Sequence, residues 1–444
     1  MIDDHGNGGG GKIASAPDLV GDPGRPVAQD GTGLSDRADL LARTDLATRA
    51  ATGDWAVYGS FAADHFAPGP GLVGRATGWL EATMAQDAQA GRPFLAAVCA
   101  ARLGQGQPAP GFFATARALG RYNGPDTGPV AAEYVTTERA ALRAQLCGEW
   151  PDAPDAVWAT ARYQSVRAAL PSARFPAQSL QVHSLSDIAD RYDGFILDAY
   201  GVLNTGATAI PGAVARIAEL RARGKRLVVL TNGASHPRST ALARYHALGF
   251  DFTEDEVIAS RDIAATALPP GLIAAIAPQG IGFDDLPGDI RALDADQSLL
   301  ADADAFLFLG AQGWSPARHA ALFAALHRRP RPIIIANPDV VAPHEDHLSL
   351  EPGHFAHHLA LTGAPVGFHG KPFAPAFEAA LARINLPRDR VAMVGDTLHT
   401  DVLGGAHAGC GTVLIAGHGL YRNQTPQDFI DATGIVPDVI AQTT

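Results

Sequence analysis

The sequence predicts an α/β protein: a doubly wound parallel sheet, preceded by a small α-rich module. Three observations predict it. At 444 residues the chain is too long for one ordinary core. From about residue 182 onward, near-continuous apolar runs ending in turn residues alternate with amphipathic helical patterns, as strands buried on both faces of a parallel sheet require. Upstream of that point apolar residues recur mainly at helical spacing.

Taken in order, residues 1–37 are rich in Gly, Asp and Pro, show no apolar period, and are expected to form a disordered tail. Within them GNGGGGKI (Gly6 to Ile13) looks like a phosphate-binding loop. No strand precedes it, and Ile13 stands where a hydroxyl should bind magnesium, so it is read as tail. Residues 38–148 form the α-rich module, with helical periods in DRADLLARTDLATRAA and GWLEATMAQDAQA. Its Phe112–Phe113 pair is either core or an exposed partner site. Residues 149–181, with prolines flanking one short helical pattern, read as a linker. The α/β unit occupies residues 182–444. Its strands are GFILDAYG, KRLVVLTNG, RPIIIANPD, RVAMVGD and GTVLIAG, and helices such as PGAVARIAELRARG and PAFEAALARIN lie between some of them.

Composition narrows the function. A content of 47% hydrophobic and 18% charged residues is that of a globular protein, and no apolar run reaches the ~18 residues of a membrane span. A formal net charge of -12 weighs against a general nucleic-acid binder, which needs a basic surface. It does not weigh against a small anion in a locally positive pocket. The start of the chain lacks the basic and apolar regions of a secretory signal, and the three cysteines are far apart with no metal-type spacing. A cytoplasmic protein with unpaired thiols is expected. A protein partner or a second copy docking through the N-terminal module or the cap is left open.

In open α/β sheets ligands collect beyond the carboxyl ends of the strands. Those ends here carry Asp198, Thr231–Asn232 and Asp396, and Lys371 joins them from a Gly-Lys-Pro loop opening a helix. Each has a use at one phosphoryl site. Asp198 is the candidate nucleophile, since a carboxylate can take a phosphoryl group as an acyl phosphate and divide one hard displacement into two easier ones. Backbone N–H groups in the turn at Gly201 can hold phosphate oxygens. The Thr231 hydroxyl, the Asn232 amide and the backbone at Gly233 can do the same. Lys371 supplies a point charge and keeps Asp198 ionised. Asp396 suits Mg²⁺, a hard cation that prefers oxygen, and Asp401 five residues later would orient the metal's waters. Asn337 and Asp339 are either a turn or a substrate and cap-closure contact. The histidine-rich run His344, His347, His354, His357, His358, His369 is too irregular for a metal site, although His344 or His347 could reach the substrate from the cap side.

The ordered set D-x-x-G-V at Asp198, TN at Thr231, GKP at Lys371 and GD-x-x-x-x-D at Asp396 and Asp401 resembles the four motifs of the haloacid-dehalogenase-like (HAD) hydrolase superfamily. The resemblance covers about residues 182–444. Between 198 and 231 there is room for a helix but no sizeable cap. Between 231 and 371 there is room for an inserted α/β cap, expected at about 251–335. That arrangement, with IPGA, TNGASHPR and ANPD, resembles class IIA, the NagD-like phosphatases with a C2 cap. The resemblance implies an Mg²⁺-dependent phosphatase acting on a small phosphorylated metabolite through an aspartyl phosphate, with Asp198, Asp396, Asp401 and the backbone carbonyl of Tyr200 around the metal.

Tyr200 departs from that pattern. Phosphatases of the superfamily usually carry a second aspartate there, which protonates the leaving group and later activates water. A tyrosine, with an ordinary pKa near ~10, is a poor base at neutral pH. Two alternatives follow. One is a non-catalytic phosphoester-binding or scaffold protein on the same fold. The other is a 2-haloacid dehalogenase, whose first motif DAYG also resembles; those enzymes carry their cap between the first two motifs, where this chain has no room.

Overall fold

The computed structural model describes residues 34–344 and 347–444; most of the expected tail, with the phosphate-loop look-alike, lies outside the described residues. Two parallel sheets organise the chain. The first has seven strands, in the spatial order Leu180–Val182, Val439–Ala441, Gly411–Ile415, Val391–Gly395, Gly194–Leu197, Arg226–Thr231, Val257–Ala259. The central strands are buried nearly end to end, because helices cover both faces. The chain runs from Gly194–Leu197 to its neighbour on one side, and returns much later as Val391–Gly395 on the other. The crevice at this reversal is where such sheets bind ligands.

The second sheet has five parallel strands, in the order Asp289–Ala292, Leu272–Ile276, Ala305–Phe308, Ile333–Ile335, Val366–Phe368. It is inserted between the first sheet's Val257–Ala259 and Val391–Gly395 strands. This corrects the expected cap boundary. The run RPIIIANPD belongs to the inserted sheet, as does Val366–Phe368, so the insertion reaches the Gly-Lys-Pro loop instead of ending near residue 335. A short antiparallel hairpin, Val341–Pro343 with Leu348–Leu350, follows the ANPD turn.

Upstream, helix Asp36–Thr52 starts with Ser35 accepting a hydrogen bond from the Ala38 N–H, carries Asp36 and Asp39 in its first turn, and stops at left-handed Gly53. It packs against helix Pro316–Arg328 of the insertion, and the two units share one apolar core that includes Leu46, Trp79, Phe113, Phe306 and Phe323. Asp39 sits at the seam, accepting from Arg328 Nε at 2.6 Å and Trp79 Nε1 at 2.8 Å. Phe112 and Phe113 are buried, which settles them as core. The expected linker also proves to be packed: its helix Ala156–Ser165 buries Ala156, Ala159 and Tyr163 in a cluster with Leu398, Val402 and Tyr421 of the first unit. Among the described residues no helix is long and apolar enough to cross a membrane.

Candidate active site

Strands Val391–Gly395, Gly194–Leu197 and Arg226–Thr231 are neighbours, so their carboxyl ends deliver Asp396, Asp198 and Thr231 side by side. Asp198 continues its strand's ladder by donating its N–H to the Val394 carbonyl at 2.8 Å. Lys371 reaches in from the loop ahead of helix Ala374–Ile384. Its ammonium lies 2.6 Å from Asp198 Oδ1 and 2.7 Å from Asp401 Oδ1 and is almost wholly buried. Carboxylate oxygens of Asp198, Asp396 and Asp401 all lie within 4.8 Å of one another.

The electrostatics of this cluster are unbalanced. Burial alone would pull the Lys371 ammonium down, but Asp198, Asp401 and Asp339 outweigh it and hold the lysine protonated. Burial, reinforced by Asp198 and Asp401, pushes Asp396 well above the usual carboxylate range. Burial likewise lifts Asp401 to about 6, against the pull of Lys371. Three carboxylates facing one another with a single ammonium fit a hard divalent cation, which takes oxygen donors and would relieve the repulsion. The walls leave room for it: a Cβ at Gly201, which is left-handed, or at Gly419 would collide with the Asp396 carboxylate, and one at Gly395 with that of Asp401.

Most of the expected residues converge here. Asn232 is buried and holds the lysine loop: its Oδ1 accepts from the Lys371 N–H at 2.7 Å and its Nδ2 donates to the Lys371 carbonyl at 3.0 Å. The same Nδ2 donates to Asp339 Oδ1 at 2.8 Å. Thr231 Oγ1 accepts from the Gly233 N–H at 3.1 Å, fixing the turn after the strand. Burial raises Asp339 to about 8, with Lys371 and Asn232 opposing the rise. Asn337 Oδ1 accepts from the Asp339 N–H and its Nδ2 donates to Glu351, hydrogen bonds that shape the turn. Tyr200 donates its hydroxyl to the His344 carbonyl at 3.1 Å, tying the first-motif loop to the hairpin of the insertion. The His344 and His347 rings stack 4.6 Å apart beside it. Among the described residues, no group of histidines gathers as a metal-type set of three.

Sequence reasoning missed two contributors. Thr397 donates its hydroxyl to Asp396 Oδ1 at 3.0 Å and its N–H to Asp401 Oδ2 at 3.1 Å, and the Leu420 N–H donates to Asp396 Oδ2 at 2.8 Å. The Gly417–Gly419 pair after a strand was the available signal for the last of these.

Comparisons with known proteins agree with this geometry. A family model described as haloacid dehalogenase-like hydrolase matches residues 195–278, and a second, HAD-hydrolase-like, matches residues 368–442. Glycerol-3-phosphate phosphatase of Gallus gallus is 30% identical over 274 residues, 55% of this chain and 88% of the relative. Phosphoglycolate phosphatase 1A, chloroplastic, of Arabidopsis thaliana is 27% identical over 263 residues, 53% of this chain and 71% of the relative. The solved structure of a possible sugar phosphatase of the HAD superfamily from Cytophaga hutchinsonii superposes with a TM-score of 0.54 at 27% identity, covering 60% of this chain and 98% of that one. Four motifs at one crevice, a cap inserted after the second of them, and these relatives have a single explanation: the chain belongs to the haloacid-dehalogenase-like hydrolases, class IIA.

Proposed function

We propose that this phosphoric monoester hydrolase works on a small phosphorylated metabolite through Mg²⁺ and an aspartyl phosphate formed on Asp198. The observation that carries the reading is the Lys371 ammonium, buried between Asp198 and Asp401 with Asp396 alongside. A carboxylate oxygen of Asp198 forms the bond to phosphorus as the bond to the ester oxygen breaks, and the electron pair leaves on that oxygen. Lys371 holds the phosphoryl oxygens, helped by the Thr231 hydroxyl and the backbone at Asn232 and Gly233. Water then attacks the acyl phosphate, the phosphorus–Asp198 bond breaks, and the carboxylate returns as inorganic phosphate leaves. Asp198, Asp396, Asp401 and the Tyr200 carbonyl are the proposed ligands. Bound there, Mg²⁺ would offset the repulsion between the Asp198 carboxylate and the phosphate.

Tyr200 stands where a carboxyl would protonate the leaving oxygen, and its hydroxyl is engaged by His344. The leaving oxygen therefore takes its proton from water, which favours good leaving groups such as nitrophenolate over alkoxides. The insertion supports a small substrate, because its hairpin comes down to the rim of the site at Tyr200. The free, buried cysteines accord with a reducing compartment such as the cytoplasm. The test is phosphate release from 4-nitrophenyl phosphate with magnesium or with chelator. Magnesium-dependent release lost in Asp198→Asn supports the reading; release that survives either the chelator or that substitution overturns it.

A further inference from the structure

Helix Ala156–Ser165 lies upstream of both matched family regions, yet it touches the catalytic machinery at two points through one residue. Tyr163 is 2% exposed. Its ring lies flat on the His399 imidazole, centroids 4.7 Å apart with planes 5° from parallel. His399 sits in the turn between Asp396 and Asp401 and is buried. Neither of its ring nitrogens has a hydrogen-bond partner among the described residues, so packing holds the ring, with Tyr163 covering one face. The Tyr163 hydroxyl accepts from the Val340 N–H at 3.0 Å, directly after Asp339. From there the hydrogen bonds continue inward: Asp339 Oδ1 to Asn232 Nδ2 at 2.8 Å, Asn232 Oδ1 to the Lys371 N–H at 2.7 Å.

We propose that Tyr163 is a positioning residue for the phosphatase reaction: its hydroxyl sets the loop that holds Lys371 against the phosphate, and its ring sets the turn that carries the metal carboxylates. The upstream segment thereby completes the active site. This inference rests on the phosphatase reading for its catalytic meaning, while the geometry predicts two separable binding effects. In the full-length protein, Tyr163→Phe keeps the ring and removes the hydroxyl; Tyr163→Leu removes both.

The readouts are KM and kcat for 4-nitrophenyl phosphate, and the midpoints of thermal stabilisation by Mg²⁺ alone and by inorganic phosphate with Mg²⁺ present. Losing one buried hydrogen bond in Tyr163→Phe is expected to weaken phosphate binding and lower kcat/KM about three- to tenfold, with the Mg²⁺ midpoint near wild type. Tyr163→Leu is expected to weaken the Mg²⁺ midpoint as well. The positioning role is overturned if Tyr163→Phe binds phosphate like wild type, or if it weakens Mg²⁺ as much as phosphate, the mark of general loosening. Absence of turnover in every form, with the phosphate midpoint still reduced in Tyr163→Phe, would remove the phosphatase reading and leave the positioning role standing.

Discussion

Two clusters of buried ionisable groups lie in this molecule, and they resist charge in opposite directions. In the crevice, burial and mutual repulsion push carboxyls up: Asp401 to about 6, Asp396 well beyond its usual range, and neighbouring Asp339 to about 8, the last chiefly by burial. At the seam of the insertion, the N-terminal helices and the 149–181 segment, burial pushes histidines down. His354, His357 and His358 fall to about 4 and His319 lies well below its usual value, with Arg162 or the neighbouring histidines adding to the fall. His319, His354 and His358 are satisfied as neutral groups. His319 and His358 are hydrogen-bonded at 2.8 Å, Trp314 donates to His319, and His354 accepts from Arg162 while its other nitrogen meets the Glu149 carbonyl. The carboxylates are not content, with one lysine among them. A cluster that satisfies itself is structure; one left with excess charge is built for a ligand.

The sharpest way to break this contrast is to remove the nucleophile. Asp198→Asn is expected to lower kcat by about 10⁴-fold or more, measured as phosphate release, and to raise the melting temperature of the metal-free protein by relieving repulsion. Lys371→Met is expected to cost about 10²–10³-fold in kcat, and to lower that melting temperature, because it leaves the carboxylates unopposed. Tyr200→Asp is expected to raise kcat on an alkyl phosphate by up to about 10²-fold, with little gain on 4-nitrophenyl phosphate, since only the poor leaving group needs the acid. A pH series of melting temperature on the metal-free protein reads the smallest effect. Below their ordinary pKa near ~6.5 the histidines take protons in the unfolded chain that the folded chain refuses, so their contribution to stability falls as pH drops toward about 4. Asp339 has the opposite sign: its folded carboxyl holds a proton that the unfolded one releases, so stability also falls as pH rises toward about 8. His319→Gln should flatten the acid limb and leave the alkaline limb unchanged.

Much of the crevice was legible in the sequence, because each of its residues ends an apolar run or opens a helix. Asp198 and Asp396 follow strands and Thr231 ends one, and strand ends in a parallel sheet share one edge. The cap boundary was not legible. RPIIIANPD reads as a buried parallel strand, and nothing in the run says which of two sheets it joins. Nor was the shared core between the N-terminal helices and the insertion, since helix Asp36–Thr52 buries Asp39 and Thr44 beside its alanines and leucines, and Asp39 is held by Arg328 and Trp79 from elsewhere as well as by Arg43 on its own helix. Tyr163 was hidden for a related reason. The spacing Ala156, Ala159, Tyr163 marks a helix face, but the flanking prolines spoke for a connection, and its partners Val340 and His399 are distant in sequence.

The central claim is covalent: Asp198 carries the phosphoryl group between two displacements. Acid quenching during turnover of 4-nitrophenyl phosphate with magnesium, followed by peptide mass spectrometry, tests it directly. The account predicts a phosphoryl adduct on the peptide containing Asp198, absent when magnesium is withheld and absent in Asp198→Asn. Turnover accompanied by an adduct on a different residue, or an adduct that forms equally well in chelator, would contradict it.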